Sequence, residues 1–247
     1  MTAPALVALA QGIPDRRSAA TIAELTSQVR SARPDLVVET AYLDQHSPSL
    51  PTVVNRLVRK GVEEVVVVPL ILNETAQATS DVNAAIELAQ VAHHDLPIRS
   101  TKILGLETAL LEVLDTRLRA ALSDARVREL DGLVLAGAGS ADPLANQAIA
   151  RLARVWGAHH KLPVTAAYAS QAPPATGEAV RAMRAQGRRH VAVGSLFLAP
   201  GPLFSRATEL ALEAGAVAVS QPLGAHQRVA EIVVARYLVG ALELVPV

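Results

Sequence analysis

Short runs of Val, Leu and Ala alternate along this chain with longer amphipathic stretches. Apolar runs of about 4–8 residues bounded by turn residues read as strands, and stretches with apolar positions three and four apart read as helices. Strands are predicted near residues 5–10, 36–42, 64–71 and 98–104, and again near 132–137, 163–169, 190–197 and 216–220. A helix-length segment follows each one, which is the signature of βα units on a parallel sheet. Asp15 and Asp142 stand where helix N-caps belong, with Pro143 in the favoured first helical position. The pattern predicts an α/β protein of two similar lobes, each a four-stranded parallel sheet flanked by helices.

The two halves match residue by residue at a nearly fixed offset. Ala41-Tyr42, Gln45 and Pro48 recur as Ala167-Tyr168, Gln171 and Pro174, with 167 − 41 = 126. Gly61, Leu70 and Leu72 recur as Gly187, Leu196 and Leu198 at that same spacing, and Gly12, Asp15, Ile22 and Leu25 recur as Gly139, Asp142, Ile149 and Leu152. Leu104-Gly105 returns as Leu223-Gly224. An internal duplication explains these matches, and the polar stretch Ser123 to Arg128 sets the predicted lobes at 1–125 and 126–247. The shortness of that stretch predicts lobes packed on each other with a cleft between them.

Composition narrows the function classes. Apolar residues make up 51% of the 247, aromatics only 2%, so the cores must be built from aliphatic side chains. Twenty-three basic and 23 acidic side chains cancel, leaving none of the positive field that nucleic-acid binding uses. There is no cysteine, which excludes disulfides, thiolate zinc sites and a thiol nucleophile, and fits a cytoplasmic setting. The first ten residues carry no Lys or Arg before their apolar run, and the densest apolar run, Val65 to Leu72, is far shorter than the roughly 20 residues of a membrane span.

In open parallel sheets ligands bind beyond the carboxyl ends of the strands. The corresponding loops of the first half are Gln11-Gly12-Ile13-Pro14-Asp15, Asp44-Gln45-His46-Ser47-Pro48 and Asn73-Glu74-Thr75-Ala76-Gln77. Asp44 and Glu74 are expected to flank Gln11 across the crevice, with Arg16 and Arg17 beside the first helix N-terminus to meet anionic groups. His46 and His226 each follow a strand and are the two imidazoles expected at that face. His93-His94 and His159-His160 precede Leu-Pro at strand entries and are expected to be solvated turn residues without an acidic partner, and His190 to be structural. Gly12 and Gly139 lack the spacing and the lysine of nucleotide loops, and Ser140 lacks the partner of a nucleophile.

The segment Ala41-Tyr42-Leu43-Asp44 with Pro48-Ser49-Leu50, the run Val66-Val67-Val68-Pro69-Leu70-Ile71-Leu72, and Pro222-Leu223-Gly224-Ala225-His226 resemble the class II tetrapyrrole chelatases. That family inserts cobalt, iron or nickel into sirohydrochlorin and related rings, in siroheme and cobalamin biosynthesis. The resemblance covers both halves and implies a tetrapyrrole ligand, no tightly bound cofactor, and Co2+ or Fe2+ as a substrate. The family carries His-Gly-Ser after its first strand, where this chain has Gln11-Gly12-Ile13 and Ala138-Gly139-Ser140. Its second histidine falls here on Gln77 and Leu203, while Asp44 occupies its acidic position.

Metal insertion needs a ligand for the ion and a base for the two pyrrole protons, and neutral imidazole serves both. A glutamine oxygen coordinates weakly and takes up no proton near pH 7, and Ala138 and Leu203 do neither. The resemblance therefore implies an inert second half and a first half in which Asp44 and His46 carry the chemistry at the replaced positions Gln11 and Gln77. Arg16, Arg17, Glu74 and His226 are the expected substrate contacts. The alternatives are a non-catalytic tetrapyrrole carrier or partner subunit, and a two-lobed binder of another small metabolite.

Overall fold

A computed structural model describes residues 3–43 and 47–244. It contains strands β1 (Ala5–Ala10), β2 (Val38–Tyr42), β3 (Val65–Pro69), β4 (Ile98–Ser100), β5 (Gly132–Gly137), β6 (Val164–Tyr168), β7 (Val191–Ser195) and β8 (Ala218–Val219). The helices are α1 (Arg16–Ala32), α2 (Leu50–Arg59), α3 (Ala76–Ala92), α4 (Leu110–Asp124), α5 (Pro143–His160), α6 (Thr176–Ala185), α7 (Pro202–Glu213) and α8 (Gln227–Leu242). They form two sheets of four parallel strands, in the orders β2-β1-β3-β4 and β6-β5-β7-β8. The predicted α/β architecture of two similar sheets is what the chain adopts. No helix among the described residues is long and apolar enough to cross a membrane.

Burial on both faces explains the central strands. Every residue of β1, β3, β5 and β7 is buried, so these strands read as unbroken apolar runs rather than alternating ones. The helices present one apolar stripe each. On α1 the buried positions are Ser18, Ile22, Leu25, Thr26 and Val29, the spacing that keeps one helical face toward a sheet. Asp15 caps α1 and Asp142 caps α5, each accepting a backbone N–H two residues on.

The strand registers fix the repeat in three dimensions. Ala8 of β1 lies opposite Val68, and its counterpart Leu135 of β5 lies opposite Gly194. Both halves also carry a cis X-Pro bond at the counterpart positions Ser47-Pro48 and Pro173-Pro174.

The compact units differ from the sequence halves 1–125 and 126–247. One unit comprises Met1–Gly105 and Ala225–Val247, the other Leu106–Gly224. Helix α4 follows β4 in the chain but packs on β7 and β8, and α8 follows β8 but packs on α1, β3 and β4. The change occurs at equivalent glycines, Gly105 and Gly224, whose φ values of 76° and 68° are left-handed. Equivalent arginines fasten the exchange. Arg117 of α4 donates from Nε and Nη2 to the Leu223 carbonyl at 3.1 and 2.9 Å, and Arg236 of α8 donates from Nη2 to the Leu104 carbonyl at 3.2 Å. A helix's apolar stripe says that it must cover a sheet but not which one, so the compact units divide elsewhere than at the polar stretch Ser123–Arg128.

The duplicated cores are packed differently. In the second unit Trp156 is fully buried, and a Cβ at Gly194 would lie 2.5 Å from its indole. The counterparts in the first unit are Val29 and Val68, both buried. The large ring and the missing Cβ are thus one paired change. Gly194→Val should lower the unfolding free energy by about 1–3 kcal/mol through overpacking. The pair Trp156→Val with Gly194→Val should lose less than the sum of its single changes, as adjoining sites do. Denaturant midpoints followed by far-UV circular dichroism check both.

Candidate functional site

In the first unit β2 and β3 pair with opposite edges of β1, so strand order reverses between β1 and β3. That reversal opens the chain at the carboxyl ends of β1 and β3, which is where α/β folds hold ligands. Gln11 follows β1 directly and is exposed, and its carbonyl accepts the Ile13 N–H at 3.0 Å. This tight loop delivers Asp15 to the start of α1. Beyond β3, the Thr75 hydroxyl caps α3 by accepting the Ala78 N–H at 3.1 Å, with Glu74 exposed just before the cap. Gln77, in the first turn of α3, donates from Nε2 to Asp81 Oδ1 at 2.6 Å. With its nitrogen engaged, its amide oxygen is the atom that can turn to a cation.

Arg16 is exposed on the first turn of α1, but Arg17 is already engaged. Its Nη2 donates to Asp15 Oδ2 at 2.7 Å, and its backbone N–H to Asp15 Oδ1 at 2.8 Å. The Arg17 side-chain bond, then its backbone bond, hold the Asp15 carboxyl below its ordinary 3.8. Arg17 is thus partnered with the α1 cap residue Asp15. Asp44 and His46, the residues expected after β2, lie outside the described residues.

His226 stands at the start of α8. Its Nδ1 accepts the Arg228 N–H at 3.1 Å, so it serves as the N-cap of α8. The preceding carbonyl, of Ala225, accepts from Gln28 at 2.8 Å. Gln28 is 28 − 16 = 12 residues along α1 from Arg16, about 18 Å at 1.5 Å per residue, so His226 stands beside the far half of α1.

The matching loops of the second unit are filled by their own bonds. Ser170 donates to the Ala138 carbonyl from both its N–H and its hydroxyl, at 3.0 and 3.1 Å. Gln171 Oε1 accepts the Ala141 N–H at 3.0 Å, and Asn146 bonds both backbone groups of Ser140. A Cβ at Gly139, which has φ 82°, would collide with the Ser170 carbonyl oxygen. Beyond β7 the lining is apolar: Phe197 and Phe204 pack edge to face with ring centroids 5.9 Å apart, and Leu203 lies in the first turn of α7.

Two acidic residues escaped the reading of the sequence. Asp81 lies one turn beyond Gln77, a spacing that could have revealed it. Asp115 interrupts the buried apolar face of α4 formed by Leu110, Leu111, Val113, Leu114 and Leu118. His159 and His160 end α5, and His160 Nε2 lies 2.7 Å from Asp115 Oδ1. The expectation that this pair lacks an acidic partner is overturned. Elsewhere His93 Nε2 bonds Asn55 Oδ1, the backbone N–H of His190 donates to Asp131, and the exposed His94 lies 3.2 Å from Asp95 Oδ2.

The CbiX family pattern matches residues 5–121 and 132–238, both repeats in turn. The chain belongs to the CbiX family. This confirms the class II chelatase resemblance read from the strand and loop motifs. A sirohydrochlorin cobaltochelatase of Priestia megaterium is 25% identical over 177 residues, which is 71% of this chain and 58% of that relative. The chain thus spans little more than half of that relative's length. Among solved structures, SirB from Bacillus subtilis with Fe3+ superposes with a TM-score of 0.78 at 20% identity, covering 97% of this chain and 96% of that one. SirB from Bacillus subtilis subspecies spizizenii, in complex with cobalt, gives 0.79 at 18% identity, covering 98% and 97%. At these identities the superpositions establish a shared fold.

The Asp15–Arg17 pair at the candidate site makes a pH prediction. A carboxyl lowered in the folded state contributes stability above its unfolded value of 3.8, and that contribution fades as pH falls through the folded value. Carboxyl carbon NMR should find Asp15 titrating below 3.8, and Arg17→Ala should move it upward. An unmoved midpoint in the variant would show that Arg17 is not the cause.

Proposed function

We propose that this CbiX-family protein binds a carboxylate-rich tetrapyrrole of the sirohydrochlorin type and inserts a divalent metal, Co2+ or Fe2+, in the cytoplasm. The observation that carries the reading is the family match across both repeats. The loops of the first unit are the proposed site, with Gln11, Gln77, Asp44 and His46 at its centre and Arg16 and Glu74 at its margin. Asp44 and His46 supply the carboxylate and imidazole that Gln11 and Gln77 do not. Asp81, joined to Gln77, adds a second carboxylate.

The self-bonded loops of the second unit favour a single site over two. Ala138, Gly139 and Leu203 offer no group that accepts a proton or holds an ion. The replaced histidines also support a second reading, a tetrapyrrole carrier without turnover. General-base catalysis contributes about 10²–10⁴-fold, so the loss of imidazole at Gln11 and Gln77 predicts slow insertion even when the ring is bound.

Absorbance titration with sirohydrochlorin, with and without Co2+ or Fe2+, separates the readings. Binding with slow insertion supports the chelatase, binding without insertion the carrier, and absence of binding defeats both. Asp44→Ala with His46→Ala should weaken ring binding more than Ala138→Ser with Leu203→Met. Gln11→His with Gln77→His should raise the insertion rate by at least about tenfold under matched conditions. A wild-type rate equal to that of a histidine-bearing relative, unchanged by the double substitution, would sink the mechanism.

A further inference from the structure

The second unit contains a group of three potential metal ligands that the proposed chelatase chemistry does not use. Asp115, His159 and His160 each direct one ligand atom into a common space, and these atoms lie within 4.8 Å of one another. Asp115 is buried in α4, His160 is about one-third exposed, and His159 is open to solvent. We propose that these three residues bind a borderline divalent transition metal, Zn2+, Co2+ or Ni2+, and that the ion fastens α4 to α5.

The donor set selects that class. Two imidazole nitrogens and one carboxylate oxygen suit zinc and its neighbours, whereas calcium and magnesium require mainly oxygen ligands. The spacing is within reach of closure. Donors held about 2.1 Å from a tetrahedral ion stand about 3.4 Å apart. His159 Nε2 lies 3.9 Å from Asp115 Oδ2, so rotating that exposed ring closes the gap without moving a helix. His160 Nε2 is 2.7 Å from Asp115 Oδ1, and the ion takes the place of the proton they share.

Three features of the surroundings support a cation. Trp156 Nε1 donates to Asp115 Oδ1 at 2.7 Å, orienting the carboxylate as outer partners of metal ligands do. A buried carboxylate favours a neighbouring positive charge. Both imidazoles occupy the last turn of α5, where the helix carbonyls favour positive charge as well.

The repeat shows that the scaffold does not need this cluster. With 236 − 117 = 119 for the paired arginines, Asp115 corresponds to Val234, while Trp156, His159 and His160 correspond to Val29, Ala32 and Arg33 at an offset of 127. The first unit covers the same place without a ligand set. Helix α5 starts at the carboxyl edge of its sheet and returns, so its last turn lies at the amino edge, three residues before β6. The ion is therefore separate from the strand-end loops proposed to handle substrate, and the inference does not rest on the chelatase reading.

The test uses the full chain, stripped with a chelator and titrated with Co2+ followed by visible d–d absorption. A Co2+ site should persist in Asp44→Ala with His46→Ala and weaken at least about tenfold in His159→Ala, since even outer partners of a metal contribute 10–100-fold. His159→Ala removes an exposed ring, so its metal-free circular dichroism and unfolding midpoint should match wild type. Zn2+ should raise the wild-type unfolding midpoint as its concentration rises and leave that of His159→Ala unmoved. Asp115→Asn, which retains an acceptor for Trp156, should lose the ion too. Unchanged Co2+ affinity in His159→Ala, loss of all Co2+ binding in Asp44→Ala with His46→Ala, or no uptake by wild type at millimolar Co2+ would each overturn the proposal.

Discussion

Two parallel sheets buried on both faces require helices on each side, and this requirement governs the molecule. A parallel strand such as β3 exposes no polar face to water, so any gap in its cover would leave apolar surface exposed. Each sheet obtains part of its cover from the other half of the chain, through α4 and α8. The Leu104 and Leu223 carbonyls, where the chain leaves one unit for the other, each meet an arginine of the helix that crosses in the opposite sense. A truncation at the sequence midpoint would separate each sheet from a helix it needs.

The duplicated scaffold has allowed its two copies to diverge in separate ways. Around β7 the glycine at 194 admits the Trp156 ring, whose N–H then requires an acceptor in the core. Asp115 supplies it, and the buried carboxylate in turn engages His160. A polar node thus follows from a packing change. At the other edge of the same sheet the β5 and β6 loops are tied to each other and to the start of α5 through Ser170, Gln171 and Asn146.

Strand-end loops are where a βα fold can alter side chains at little cost to its core. Gln11, Gln77, Ala138 and Leu203 all stand beside intact strands and caps, so the side chains at these places are free of the architecture. Fold and catalytic competence are therefore separable here. The residues nearest the helix starts show a further constraint. Arg17 and His226 carry groups suited to ligand binding, yet each satisfies a local backbone or capping need.

The sequence by itself determined the strands, the caps at Asp15 and Asp142, the duplication and the strand-end loops. These are written in local periodicity and in a fixed offset, which need no knowledge of distant contacts. Tertiary structure alone decided which sheet each last helix covers, the pairing of Trp156 with Gly194, and the meeting of Asp115 with His160 across 45 positions. The physical reason is that an amphipathic face encodes only the demand to be buried. Its partner is selected by packing between segments far apart in the chain, and so is the company kept by one carboxylate on an otherwise apolar helix face.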